Sequence, residues 1–138
     1  MPVSFYSQEI DFKLKNQPKV KKWIKEVILT ENKSLGNINY IFCSDTYLLS
    51  LNNQYLNHNT YTDIITFDYT ENNTLSSDIF ISIDRVSENS IKYSTDFNSE
   101  LMRVIIHGVL HLIGFKDKLK SQKLIMRAKE DFYLNLLP

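Results

Sequence analysis

Two histidines and one aspartate near the end of the chain have the types and the spacing of metal ligands. His107 and His111 are four residues apart, so on an α-helix both imidazoles lie on one face, one turn apart, close enough to bind a single ion. Gly114 can adopt a positive φ and end the helix. Asp117 can then bring a carboxylate back to the same ion. We therefore predict a zinc site formed by His107, His111 and Asp117, with one coordination position left open, as in catalytic sites.

The residues around the two histidines predict a helix that lies in the interior. Apolar side chains surround it on nearly every side: Val104, Ile105, Ile106, Val109, Leu110, Leu112 and Ile113. Buried imidazoles need partners for both ring nitrogens. A metal ion satisfies one nitrogen of each ring, and a neighbouring acceptor can take the other.

The same spacing occurs in the H-E-x-x-H-x-x-G-x-x-H metallopeptidases. Gly108 stands where those enzymes have the glutamate that activates water, and Asp117 stands where they have a third histidine. A zinc peptidase is therefore one hypothesis, and the missing glutamate argues against it.

The rest of the chain predicts the elements that must position this helix. Alternating apolar residues indicate four strands, and apolar residues at helical spacing indicate about five helices. The strands are expected at 3–7, 37–43, 63–68 and 78–83, and the helices at 17–32, from 45 onward, at 84–93, 99–114 and 120–135. A polar loop between the last two strands predicts an antiparallel hairpin. Because the strands come early and the helices late, we expect an α+β fold with a small sheet, in one domain spanning 1–138.

Several individual residues carry further expectations. Asp45 is a candidate N-cap of the second helix. Cys43, at the end of a strand, is expected to be a small buried side chain. His58 lies in a polar stretch typical of a surface loop. The buried stripe of the last helix is expected to consist of Leu124, Ile125, Ala128 and Phe132.

Composition excludes several classes of protein. The 138 residues are 43 % hydrophobic, with one cysteine and a formal net charge of zero, so a disordered chain and a disulfide scaffold are excluded. The beginning of the chain lacks the layout of a signal peptide, and the most apolar stretch is too short to span a bilayer. We therefore expect a cytoplasmic protein. The charge is uneven, since residues 57–100 carry two basic and eight acidic groups and 101–138 carry seven basic and three acidic groups. The basic residues beside the predicted metal loop are Lys116, Lys118, Lys120, Lys123, Arg127 and Lys129.

The motifs resemble those of one known family. The run from His107 to Gly114 resembles the H-G-x-L-H-L-x-G motif of the YbeY family, metal-dependent endoribonucleases that act in ribosomal RNA maturation. The likeness extends upstream in the same order. Leu51-Asn52 with Tyr55 resembles the family's L-N-x-x-Y helix, and the stretches 62–67 and 78–82 resemble its T-D-V-L-S-F and G-D-I-x-I-S strands.

The resemblance implies an α+β fold with a small mixed four-stranded sheet and a zincin-like metal helix. It implies one zinc ion per chain on His107, His111 and the residue at 117. It also implies cleavage of single-stranded RNA in 16S ribosomal RNA 3′-end maturation and ribosome quality control. The expected partners are RNA and the small ribosomal subunit, with no role for DNA or membranes.

The chain departs from the family pattern at three positions. Asp117 replaces a histidine, Leu56 replaces an arginine, and Ser77 replaces a glycine. Leu56 favours an alternative hypothesis, a ribosome-assembly factor that binds RNA and holds a mainly structural zinc. The sequence thus leaves three hypotheses: an endoribonuclease, this assembly factor and a zinc peptidase.

Overall fold

The computed structural model describes residues 2–57 and 61–137. Within them the chain forms four strands and five helices, which confirms the predicted α+β class. The elements in chain order are β1 (Val3–Gln8), α1 (Gln17–Thr30), β2 (Ser34–Cys43), α2 (Asp45–Leu56), β3 (Ile64–Asp68), β4 (Thr74–Ser82), α3 (Ile83–Lys92), α4 (Phe97–Ile113) and α5 (Lys120–Leu134).

The sheet is mixed, with the strand order β1-β2-β4-β3. β1 pairs with β2 and β2 with β4 in parallel, and β3 pairs with β4 antiparallel, which confirms the predicted hairpin. The hairpin register places Ile64 opposite Ile81 and Asp68 opposite Ser77. Among the described residues, β3 is therefore an edge strand with one side paired.

The apolar stripe of α1 is buried along its length, as its spacing predicts. The buried side chains are Val20, Trp23, Ile24, Val27 and Ile28. The helix ends at Thr30, earlier than the expected 32, because Asn32 adopts a left-handed φ of 62°. The N–H of Lys33 then donates to the carbonyl of Ile28 at 3.0 Å and closes the last turn.

The predicted capping role of Asp45 is wrong. The N-cap of α2 is Ser44, whose Oγ accepts a hydrogen bond from the N–H of Tyr47 at 3.1 Å. Asp45 is the first helical residue, and its carboxylate is used elsewhere. It accepts from the hydroxyl of Ser82 at 3.0 Å and from the guanidinium of Arg85 at 2.7 Å, and so ties α2 to the start of α3.

The predicted buried stripe of α5 is also wrong. Leu124, Ile125 and Phe132 are 66 %, 53 % and 53 % exposed, and Ala128 is exposed as well. The buried residues of α5 are Met126, Glu130 and Tyr133. This face packs inward because its polar groups have partners there: Trp23 donates from Nε1 to the carbonyl of Tyr133 at 2.9 Å, and Glu130 is held by two residues of α4. A count of apolar residues alone therefore selects the wrong face.

α4 crosses the sheet at close range and forms the centre of the core. The hydroxyl of Tyr40 on β2 donates to the carbonyl of Ile105 at 3.1 Å. A Cβ added to Gly108 would lie 3.0 Å from Ile64 Cδ1 and 3.2 Å from Ile79 Cδ1, so glycine allows this close approach. Cys43 is buried, as expected. In the described part of the chain, no helix has the length and apolarity needed to cross a membrane.

Candidate metal centre

The three residues predicted to bind metal come together at the end of α4. His107 Nε2 lies 2.9 Å from His111 Nε2, and Asp117 Oδ2 lies 3.2 Å and 3.4 Å from these two nitrogens. All three residues are intermediate in burial. One imidazole nitrogen from each histidine and one carboxylate oxygen thus face a common point.

This donor set fits a divalent ion. Two imidazole nitrogens and a carboxylate are ordinary zinc ligands, with bonds of about 2.0–2.2 Å. In a tetrahedral site such bonds hold neighbouring ligand atoms roughly 3.3 Å apart. The observed separations of 2.9, 3.2 and 3.4 Å fall around this value. His107, His111 and Asp117 could therefore hold a metal ion.

Gly114 determines how the third donor returns. Its φ of 126° is disfavoured for residues with a Cβ, and its N–H donates to the carbonyls of Leu110 and His111. The helix ends there, and the next residues turn back along α4. This is the role that the spacing predicts for the glycine.

Sequence reasoning missed Glu130 and Arg103, which support the histidines. Glu130 is 4 % exposed, and its Oε2 lies 2.6 Å from His107 Nδ1. Its other oxygen accepts from Arg103 at 2.7 Å, and Arg103 also donates to Asp131 at 2.6 Å. A carboxylate on Nδ1 fixes the ring so that Nε2 carries the lone pair. Apolar periodicity does not detect a charged residue on a buried face, so no signal in the sequence marked these two residues.

The charges of the site favour a bound cation. Burial and the neighbouring His107 lower the pKa of His111, although Asp117 opposes them, so this ring is readily neutral and able to ligate. Burial by itself lowers the pKa of His107, but the hydrogen bond that its Nδ1–H donates to Glu130 and the charges of Glu130, Asp117 and Asp63 outweigh it and raise the pKa. The carboxylates of Glu130, Asp117 and Asp63 thus make the environment of His107 negative, which suits a bound cation.

A cavity of about 290 Å³ opens beside the three residues. His107 and Asp117 line it together with Asp63, which precedes β3. Burial is the main cause that raises the pKa of Asp63, against a lowering by His107. Arg127 lines the same cavity, and Lys123 lines a smaller one that also contains His107 and Asp117. The site therefore combines an open face, a carboxyl with a raised pKa and two cationic side chains.

The comparisons with known proteins agree with this geometry. The family model described as Endoribonuclease YbeY matches residues 4–138. The chain belongs to the YbeY family.

An Endoribonuclease YbeY from Flavobacterium psychrophilum is 52 % identical over 131 residues, covering 95 % of this chain and 94 % of that protein. One from Karelsulcia muelleri is 53 % identical over 132 residues, covering 96 % and 94 %. One from Parabacteroides distasonis is 48 % identical over 138 residues, covering 100 % and 97 %.

The fold is shared with a solved structure. The solution structure of TM1509 from Thermotoga maritima matches with a TM-score of 0.65 and 24 % identity, covering 98 % of this chain and 88 % of that chain. The resemblance to the YbeY family, an enzyme family of endoribonucleases, is therefore confirmed. The predicted small mixed sheet with five helices is confirmed as well.

The positions at which this YbeY family member departs from the family motifs have distinct environments. Leu56 is 44 % exposed at the end of α2. Ser77 is buried in β4, where its hydroxyl donates to the carbonyl of Phe67 at 2.7 Å and joins the two hairpin strands. Among the basic residues near the metal loop, Lys129 is paired with Glu31 at 2.8 Å. His58, expected on a surface loop, lies outside the described residues.

Proposed function

We propose that the protein is a metal-dependent endoribonuclease that cleaves single-stranded RNA, with a zinc ion held by His107, His111 and Asp117. The observation that carries the proposal is the convergence of the three ligand atoms, all within 4.8 Å of one another, at the edge of an open cavity. Membership in a family whose relatives are named endoribonucleases supports RNA as the substrate.

Different residues of the site have different roles in the proposed reaction. A divalent ion at this site would polarise a phosphoryl oxygen and lower the pKa of a water molecule. Glu130 holds His107 in the tautomer that ligates through Nε2. Asp63 lies in the same cavity, and burial raises the pKa of its carboxyl, so it is the group we assign to hold or move a proton there. Lys123 and Arg127 supply positive charge for the RNA backbone.

We further propose a location, an RNA target and a partner for the protein. It acts in the cytoplasm as a single domain of residues 1–138. Its RNA target is the 3′ end of 16S ribosomal RNA, and its partner is the small ribosomal subunit, where it takes part in maturation and quality control. The resemblance of the motifs and the family match support this assignment.

The site geometry favours this function over the two alternatives. A zinc peptidase needs a general base beside the first histidine, but the Cβ direction of Gly108 meets Ile64 and Ile79 of the sheet at 3.0 and 3.2 Å. A structural zinc is closed by four protein ligands, whereas the described residues offer a group of three candidate ligands, two of which, His107 and Asp117, line a cavity.

The central experiment measures bound metal and RNA cleavage on the same preparations. Purified wild-type protein is expected to carry about one zinc ion per chain and to cleave a labelled single-stranded RNA. His107→Ala, His111→Ala and Asp117→Ala should each lose most of both. Asp11→Ala is the matched control, because Asp11 is an exposed carboxylate that takes no part in the site. It should keep both properties.

Each outcome separates the hypotheses. Equal cleavage by wild type and His111→Ala would indicate a contaminating nuclease and would refute the proposal. Full metal affinity in Asp117→Ala would show that the third ligand is misassigned. Association with small-subunit particles without cleavage under any metal would identify an assembly factor, and metal-dependent digestion of a peptide library would identify a peptidase.

A further inference from the structure

A second cavity adjoins the metal cavity. It has a volume of about 570 Å³ and shares three lining residues with the metal cavity: Glu100, Arg103 and Arg127. The two cavities are therefore neighbours along α4 and α5, with the three shared residues at the junction. We call the larger cavity, lined by Tyr93, Asn98, Met102, Leu134 and others, the outer cavity.

The two arginines at the junction differ in their freedom to bind a ligand. Arg103 is held by Glu130 at 2.7 Å and by Asp131 at 2.6 Å, so its charge is already compensated. Arg127 is exposed, and among residues 2–57 and 61–137 it forms no ion pair with a carboxylate. It lines the metal cavity, the outer cavity and the small cavity that contains Lys123. An unpaired guanidinium at this junction is suited to a phosphate group.

The walls of the outer cavity combine apolar and polar groups. Tyr93 is 59 % exposed, and Lys92 Nζ lies 5.4 Å from the centroid of its ring. Met102 and Leu134 add apolar surface, and the amide of Asn98 can both donate and accept hydrogen bonds. A flat ring, apolar contacts and an amide are the groups that bind a nucleobase through its face and its edge. The volume lies in the ~300–1,000 Å³ range of small-ligand sites.

We propose that the outer cavity binds the base and ribose of the nucleotide next to the cleavage site, and that Arg127 contacts the phosphate that joins it to the nucleotide at the metal. This inference rests on the proposed endoribonuclease function and adds a subsite to it. The RNA strand then runs from Lys123, past the metal ligands, to Tyr93. Exposed single-stranded nucleotides fit this path because their bases are free to enter a cavity.

The test compares the binding of a short fluorescein-labelled single-stranded RNA by anisotropy, together with KM and kcat for its cleavage, on metal-loaded protein. Tyr93→Ala should weaken binding about 5- to 150-fold, the range for loss of one stacked base, with the salt dependence unchanged. Arg127→Ala should weaken binding at least about fivefold and reduce the slope of log affinity against log salt by about 0.7, as for one phosphate contact. In both variants KM should rise more than kcat falls.

Two control variants test whether the loss of binding is due to the Tyr93 ring and to the position of the Arg127 charge. Tyr93→Phe retains the ring and should bind nearly as wild type does. Lys13→Ala removes an exposed cation that lines neither junction cavity, and it should change affinity less than twofold. If wild type cleaves RNA while Tyr93→Ala and Arg127→Ala bind it as wild type does, the outer-cavity inference is overturned and the proposed function stands. If wild type neither binds nor cleaves RNA, both fail.

Discussion

Replacement of Glu130 by glutamine tests how α5 supports the metal site. Glu130 Oε2 lies 2.6 Å from His107 Nδ1, and Oε1 accepts from Arg103 at 2.7 Å. Glutamine keeps the shape of the side chain and one acceptor oxygen, but it removes the negative charge. Alanine would leave Arg103 and the imidazole N–H without their buried partner, at a cost of about 3–5 kcal/mol, so glutamine is the cleaner change.

The size of the effect follows from what glutamine retains. Loss of a carboxylate that supports a metal-bound histidine costs about 10- to 100-fold in metal affinity. The hydrogen bond to Nδ1 can persist through the amide oxygen, while the charge and the acceptor for Arg103 are lost, so the lower part of this range applies. We expect zinc affinity to fall about 10- to 30-fold, or about 1.4–2 kcal/mol. The burial of Glu130, 4 % exposed, makes this charge effective because solvent screens it little.

The assay is a titration of zinc against a competing chelator. Asp131→Asn provides the matched control, because Asp131 accepts from the same arginine at 2.6 Å without an ion pair to His107. Its zinc affinity should stay within about twofold of wild type. An unchanged affinity in Glu130→Gln would refute the positioning role. An equal loss in both variants would show that Arg103, rather than the contact with His107, carries the effect.

Three further predictions concern pH and backbone strain. Zinc affinity should fall on acidification because protons compete with the ion for His107 and His111. The fall should begin at a pH above the ordinary histidine range, because the pKa of His107 is raised. An affinity that stays constant between pH 8 and pH 5.5 would contradict ligation by the histidines. Burial raises the pKa of Glu31, but its hydrogen bonds to Lys129 and Tyr133 outweigh this and leave the pKa lowered. Glu31→Gln should therefore reduce Tm at neutral pH, and the difference from wild type should vanish as pH falls through that lowered pKa; a pH-independent difference would refute the linkage. Gly114→Ala should lower the free energy of unfolding in urea by about 1–3 kcal/mol through strain at φ 126°. A steric clash is not the cause, because an added Cβ meets no described atom within 4 Å. A loss under about 0.5 kcal/mol would contradict backbone strain as the cause.

The sequence was most informative about the metal ligands, because these residues lie close together along the chain. The two histidines and Asp117 lie within eleven residues, and helical geometry with one positive-φ glycine is enough to bring them together. The strands were equally accessible, because alternation with a period of two marks them directly. The expectation of a mixed sheet came from the resemblance to a known family, and the strand order was not predicted, since periodicity contains no information on which strands pair.

The rest depends on contacts between residues distant in the sequence. Glu130 and His107 are 23 positions apart, and a buried carboxylate looks the same in the sequence as an exposed one. The error in α5 has the same origin. Its most apolar face, with Leu124 and Phe132, is exposed, while the face with Glu130 and Tyr133 is buried because its polar groups are hydrogen-bonded to other elements. The orientation of this helix is decided by hydrogen bonds between its polar groups and other elements. Periodicity does not measure such bonds.

The packing of α4 on the sheet also constrains where proton transfer can occur. Gly108 lets the helix approach Ile64 and Ile79 closely, and a side chain at position 108 would have to displace the ends of these two isoleucines. A proton donor or acceptor beside the metal ligands must therefore come from another element. Asp63 precedes the edge strand β3, which lies against α4, and it shares the cavity with His107. The close helix–sheet contact thus brings Asp63, whose pKa is raised by burial, to the site from the segment before β3.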